Sequence, residues 1–238
     1  MLKKPKVIFG FFCFKMKKTW EYIVNRTIRL DLNSIQNILP AFQTSDRKSQ
    51  IQELKQAIYQ YRNQLITDLL SKQITNPSFS QTEFGKPYLI DYPKFHVNHS
   101  HSQQHYALAS SQYVNDLGVD VEDLDRKVRF DALAKHAFHP EEYQTWQKLD
   151  FDPVFWFKVW TTKEAILKAS GLGIRLSLNE LNTHVHCVND GGLCTHPLLG
   201  SFAYQNFHLS RVMLTVAWRS ELSCKGFAFP QIEIIQHN

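Results

Sequence analysis

Hydrophobic and polar positions along the chain repeat with two different periods. Between residues 45 and about 73, Ile51, Leu54, Ile58, Tyr61, Leu65, Ile66, Leu69 and Leu70 recur at steps of three and four. That spacing predicts an amphipathic helix, with Ser45 or Asp46 available as its cap. Before it, Tyr22–Leu32 alternates as a strand. Val7–Phe14 is apolar, but Lys15, Lys17 and Lys18 follow at once with no small-residue cleavage site. A first strand or an extension is expected there rather than a signal peptide, and Met16 offers a second start. Phe95 and Val97 alternate as a short strand, and Tyr106–Ala109 reads as a buried one. Between them lies a run of His and Ser expected as a polar loop.

The stretch Leu117-Gly118-Val119-Asp120-Val121-Glu122 alternates with period two. Side chains two apart on a strand share a face, so the valines point into the core and Asp120 and Glu122 point together the other way. Helical patterns follow at Phe130–Phe138, at Pro140 to about Lys148, and from Asp152-Pro153, with Gly171 and Gly173 as the stop of the last. Val154, Phe155, Trp156, Phe157, Val159, Trp160, Ile166 and Leu167 surround that last helix on nearly every side, which predicts a central, buried helix. From Leu176 onward, Val185–Val188, Ser201–Tyr204, Val212–Trp218 and Phe227–Ile235 are expected strands, with Asn189-Asp190-Gly191-Gly192 as a hairpin turn. The pattern is α+β: a strand–helix–strand half over residues 1–112, then strand, helices and strands over 113–238.

Composition alters this picture little. The 238 residues are enough to bury a substantial core. The excess of 27 Lys and Arg over 22 Asp and Glu favours anionic partners without choosing among them. Cys13, Cys187, Cys194 and Cys224 have no zinc-type spacing and read as reduced, cytoplasmic thiols. No apolar run reaches the length of a membrane span, so no membrane partner is expected.

The candidate chemistry is acidic and cationic together. Two carboxylates on one strand face repel, and a cation is expected between them. Oxygen ligands without a cysteine suit Mg²⁺ or Mn²⁺ better than Zn²⁺. On the buried helix, Trp160, Glu164 and Lys168 share one face at four-residue steps, with Lys163 beside them. Phe84-Gly85-Lys86-Pro87 is a turn that can hold Lys86 over a pocket mouth. The histidines at 96, 99, 101 and 105 could bind a metal, or grip a phosphate together with Ser100 and Ser102.

These motifs resemble one family. F-G-K-P at 84–87, F-x-V-x-H-S at 95–100, G-V-D-V-E at 118–122 and W-x-x-K-E-A-x-x-K at 160–168 are similar, in order and separation, to the Sfp-type 4′-phosphopantetheinyl transferases. F-H-P-E-E at 138–142 and G-L-G at 171–173 fit the same pattern. The resemblance implies a reaction: phosphopantetheine moves from coenzyme A to a serine of an apo acyl or peptidyl carrier protein, releasing 3′,5′-ADP. It implies Mg²⁺ held by Asp120, Glu122 and Glu164, and coenzyme A contacted by Lys86, Asn98, His99, Lys163, Lys168 and, from the N-terminal half, Arg62. Asn98 stands where many members carry serine, and an amide can also donate to a phosphate. Glu164, or a metal-bound water, is implied as the base for the acceptor serine, and Lys168 as the group that balances charge on the pyrophosphate and protonates the leaving group. The implied fold is two similar α/β halves related by a pseudo-twofold, each an antiparallel sheet with a long helix, with the site at their junction. A cytoplasmic monomer is implied, with no nucleic-acid partner. Two rival readings stay open: a metal-dependent phosphohydrolase using His96, His99 or His101 with Asp120 and Glu122, and a non-catalytic binder of acidic proteins or RNA.

Overall fold

The computed structural model describes residues 26–70, 76–220 and 229–237. The expected segment at Val7–Phe14, the start at Met16, Cys13 and Cys224 lie outside them.

Two four-stranded sheets carry the fold, in the orders β10-β1-β5-β4 and β6-β9-β8-β7. The first contains β1 (Thr27–Ser34), β4 (His96–His101), β5 (His105–Ser111) and β10 (Gln231–His237). The second contains β6 (Gly118–Asp123), β7 (Gly191–His196), β8 (Gly200–Leu209) and β9 (Val212–Arg219). A short hairpin, β2 (Phe79–Gln81) and β3 (Pro87–Leu89), stands apart from both. The helices are α1 (Ile35–Ile38), α2 (Arg47–Leu69), α3 (Phe130–Ala137), α4 (Pro140–Lys148) and α5 (Pro153–Ser170).

Each sheet is built in the same order. A strand enters, a long helix crosses, and a hairpin returns so that its second strand pairs antiparallel with the first: β1, α2, β4–β5 and then β6, α5, β8–β9. Ile28, Leu30, Ala107 and Ala109 of one sheet share a core with Val119, Val121, Leu214 and Val216 of the other. The helix α2 covers the first sheet through Ile58, Leu65 and Ile66. The helix α5 belongs to the core of the second sheet through Phe155, Ile166 and Ala169. Apolar burial of this kind, worth about 1.5–3 kcal/mol for each large side chain, holds the layers together.

Local chemistry sets the helix ends. Asp46 accepts from the backbone N–H groups of Lys48 and Ser49 at the start of α2. Asp152 does the same for Val154 and Phe155 at the start of α5, and Pro153 occupies the first helical turn. Gly171, at φ +73°, closes α5 in the left-handed conformation.

Several expectations need correction. The His-Ser run is not a loop: β4 continues through His101, because residues 96–101 pair in register with Ser111–Tyr106 of β5. Val185–Val188 is not a strand, and Gly191 and Gly192 lie inside β7 rather than in a turn. The cause is Lys158 of α5, whose Nζ donates to the carbonyls of His186 and Asn189 and to Asp190, holding 186–190 as a loop. The division of the chain at residue 112 is crossed by the final strand. β10 pairs parallel with β1, so the first sheet is mixed rather than antiparallel. The helix expected to about residue 73 ends at Leu69, with residues 71–75 outside the description.

Gly118 explains why the acidic strand begins with glycine. A Cβ there would stand 2.2 Å from the carbonyl oxygen of Ala165 and 2.4 Å from the backbone nitrogen of Ala169. The backbones of β6 and α5 therefore touch at this point, and no flexible side chain can give way. Gly118→Ala is expected to cost about 1–3 kcal/mol or more by overpacking. Urea unfolding monitored by tryptophan fluorescence checks this, and an unchanged midpoint would refute the close approach.

Candidate active site

The edges of the two sheets, β4 and β6, meet, and the meeting is polar. Asn98 of β4 accepts through Oδ1 from the backbone N–H of Val119, at 2.9 Å. Two residues on, Ser100 donates to Oδ1 of Asp120 at 2.8 Å. Even-numbered residues of β4 thus face β6, as strand alternation requires. On β6 the same alternation sends Gly118, Asp120 and Glu122 toward α5 and Val119 and Val121 into the core between the sheets.

From α5, Lys168 donates to both Asp120 Oδ1, at 2.7 Å, and Ser100 Oγ, at 2.8 Å. Trp160, two turns earlier on the same face, donates from Nε1 to Glu122 Oε1 at 3.2 Å and stacks on Trp156. Glu164 lies between them and lines a cavity of about 350 Å³ with Lys86, Asn98 and Lys168. Its far wall is apolar: Phe84, Leu167, Leu176 and Leu178. The expected face of Trp160, Glu164 and Lys168 is therefore present, and it meets Asp120 and Glu122.

The electrostatics are those of a crowded, buried acidic site. Burial first, and then the charge of Asp120, pushes Glu122 up from 4.5 to about 7. Burial and Asp120 also raise Glu164. Asp120 Oδ2 and Glu122 Oε2 are buried with no hydrogen-bond partner, although Arg126 lies 3.0 Å from the latter as an ion pair. Asp120 Oδ2 is thus a desolvated carboxylate oxygen with no donor, while the charge of Glu122 Oε2 is met by Arg126. Oxygen donors of this kind fit a hard divalent cation. The lysine of α5 now stands against Asp120, and no group of three metal-type side chains encloses an ion-sized space among the described residues.

The raised Glu122 sets a pH dependence. In the metal-free protein the folded state keeps this proton up to about pH 7, whereas the unfolded chain releases it near 4.5. The folded state then binds more protons than the unfolded one across that window, so stability falls as pH rises through it. Urea midpoints measured in EDTA at pH 5, 6 and 7 are expected to drop stepwise for the wild type and to flatten for Glu122→Gln.

Other expected contacts are placed differently. Lys163 does not reach the cavity. It is fully buried on another face of α5, 2.7 Å from Glu142, and donates to the carbonyls of Leu178 and Leu181. Glu142 in turn accepts from the backbone N–H of Thr183 and caps α4 through the backbone of His139. The F-H-P-E-E motif and Lys163 thus form one buried clamp on the segment after α5. Asn98 spends its carbonyl oxygen on the sheet junction, while its side chain still lines the cavity. His99 points away from Asp120, toward the rings of Tyr59 and Tyr106, and burial lowers its imidazole to about 3, so it is neutral. Arg62 of α2 lies over the rings of Tyr59 and Phe79, on the His99 side of β4. Lys86 donates to the carbonyl of Ala169, and burial lowers it to about 8. His96 and His99 are three apart on one strand and so face opposite ways. Ser100 and Arg126 are the site residues that sequence reasoning underweighted. The two-residue step from Asn98 to Ser100 was the signal for the first.

Comparison with known proteins finds one family. Residues 116–222 match the model of the 4′-phosphopantetheinyl transferase superfamily. The chain is similar to 4′-phosphopantetheinyl transferase HetI of Nostoc, with 38% identity over 103 residues covering 40% of this chain and 42% of that protein. It is similar to 4′-phosphopantetheinyl transferase Sfp of Bacillus subtilis, with 28% identity over 128 residues covering 51% of this chain and 55% of Sfp. A second 4′-phosphopantetheinyl transferase of Bacillus subtilis is 31% identical over 110 residues, 45% of this chain and 47% of that protein. The chain spans about half the length of the curated relatives it matches.

Proposed function

We propose that this chain, whose residues 116–222 match the 4′-phosphopantetheinyl transferase superfamily, transfers 4′-phosphopantetheine from coenzyme A to a serine of an apo acyl or peptidyl carrier protein. The observation that carries the reading is the convergence of Asp120, Glu122, Glu164 and Lys168 beside one cavity, where the buried Oδ2 of Asp120 lacks a donor.

In the reaction so read, the acceptor serine Oγ forms a bond to the phosphorus that bears the pantetheine arm. The bond from that phosphorus to the 3′,5′-ADP oxygen breaks. Glu164, kept basic by burial and by Asp120, takes the serine proton. Lys168, oriented by Ser100 and Asp120, gives a proton to the departing oxygen. Asp120 and Glu122, with Glu164, would hold Mg²⁺ or Mn²⁺, and the ion would neutralise the pyrophosphate and the leaving group. Lys86 at the cavity wall is placed for a phosphate of coenzyme A, and Arg62 and His99 for a part of it beyond β4. The apolar wall excludes water, which strengthens each of these charges.

The repeated strand–helix–hairpin order supports two related halves, with a pseudo-twofold between them, divided near residue 112 except for β10. The free thiols of Cys187 and Cys194 agree with a reducing cytoplasm. No helix among the described residues is long and apolar enough to cross a membrane.

The test is the intact mass of an apo acyl carrier protein incubated with this protein, coenzyme A and Mg²⁺. A gain of one phosphopantetheine that EDTA abolishes is expected. Failure to modify any of several unrelated carriers, together with no calorimetric binding of coenzyme A, would overturn the assignment.

A further inference from the structure

A second cleft, of about 580 Å³, opens at the other end of the sheets and shares no lining residue with the candidate active site. Its walls come from the ends of β1, β5 and β10 and from the turn between β8 and β9. Four basic or titratable side chains converge on it from three separate elements: His105 of β5, His237 of β10, and His208 and Arg211 at the β8–β9 turn. Among the described residues, no carboxylate lines it.

The acids stand behind the rings instead. His105 Nδ1 lies 2.6 Å from Asp123, and His237 Nε2 lies 2.8 Å from Asp31. Both carboxylates are buried to within 1% of full burial. Asp31 is already matched by a bidentate contact from Arg29, and Asp123 also accepts from the backbone N–H of Gln104. A buried carboxylate behind an imidazole fixes the ring and keeps the proton on the nitrogen it faces. The other nitrogen, Nε2 of His105 or Nδ1 of His237, is then turned away from that carboxylate. Arg211 is exposed, with no hydrogen bond or ion pair of its side chain among the described residues. The Arg211 guanidinium donates to an oxyanion directly, and each ring that holds one N–H against its carboxylate donates its second N–H to the same anion when it is an imidazolium.

We propose that this cleft binds a phosphate group, free or as a monoester, through Arg211, His208, His105 and His237. The volume accommodates the ester as well as the ion. The site is separate from the coenzyme A cavity and does not depend on the transferase reading.

The experiment uses the full chain labelled with ¹³C in its histidine rings, titrated at constant ionic strength with inorganic phosphate and, in a second arm, glycerol 3-phosphate. Saturable movement of the His105, His208 and His237 signals is expected, while His139, the cap of α4, stays in place. Arg211→Ala is expected to weaken binding about tenfold, the loss of one charge-assisted hydrogen bond. His208→Gln should weaken it in the same direction. Tighter binding of the monoester would identify an ester ligand, and equal binding the ion itself. The proposal is overturned if no signal saturates, if His139 moves in parallel, or if Arg211→Ala binds as the wild type does while its spectrum remains that of the folded protein.

Discussion

Replacing Lys163 by alanine is expected to lower stability by about 3–5 kcal/mol, the cost of stranding one member of a buried ion pair. Lys163 is fully buried, and its ammonium meets Glu142 and the carbonyls of Leu178 and Leu181. Removing it leaves the Glu142 carboxylate desolvated beside Thr183 and frees the segment that closes over α5. Urea unfolding measures the loss. The double variant Lys163→Met with Glu142→Gln is expected to recover a large part of it, because neither partner is then left as an isolated charge. Coenzyme A affinity of the folded fraction, measured by calorimetry well below the unfolding midpoint, should be unchanged. Were Lys163 a coenzyme A ligand, as its place in the W-x-x-K-E-A-x-x-K motif implied, the affinity would fall and the stability would hold.

The second large effect belongs to Glu164. Glu164→Gln keeps the shape of the side chain and removes its ability to take a proton. If the proposed reaction holds, transfer to a carrier protein is expected to fall by about 10²–10⁴, the usual worth of a positioned general base. Stability should be unchanged or slightly higher, since burial and Asp120 already disfavour the ionised carboxylate in the folded state. Single-turnover transfer followed by intact mass, together with thermal unfolding of the same sample, separates the two quantities. A variant that folds and transfers near the wild-type rate would remove Glu164 from the proton path.

Much of the site was legible because it rests on two short-range periodicities. Period two on residues 118–122 put Asp120 and Glu122 on one face, and the four-residue steps of 160–168 put Trp160, Glu164 and Lys168 on another. Both faces are found, and they face each other. What the pattern could not supply was the partner of each charge. Lys163 and Lys168 are five residues apart, about 140° around a helix, so they had to point to different neighbours. Which neighbour was Glu142 and which was Asp120 depended on where the α4 segment and β6 were laid against α5.

The chain by itself determined the long helices, a cap at Ser45 or Asp46 for one and at Asp152 for the other, a stop within 171–173 and the facing of the acidic strand, since each follows from residues within one or two turns of one another. Tertiary structure decided the rest. The His-Ser run became a strand because β5 was there to pair with it. Asn98 became a tie between sheets because Val119 presented an edge N–H. The last strand returned to β1, where parallel pairing satisfied the open edge of the first sheet. The physical reason is the range of the forces: periodicity and capping are local, whereas burial and the pairing of buried charges depend on whatever surface the remainder of the chain brings alongside.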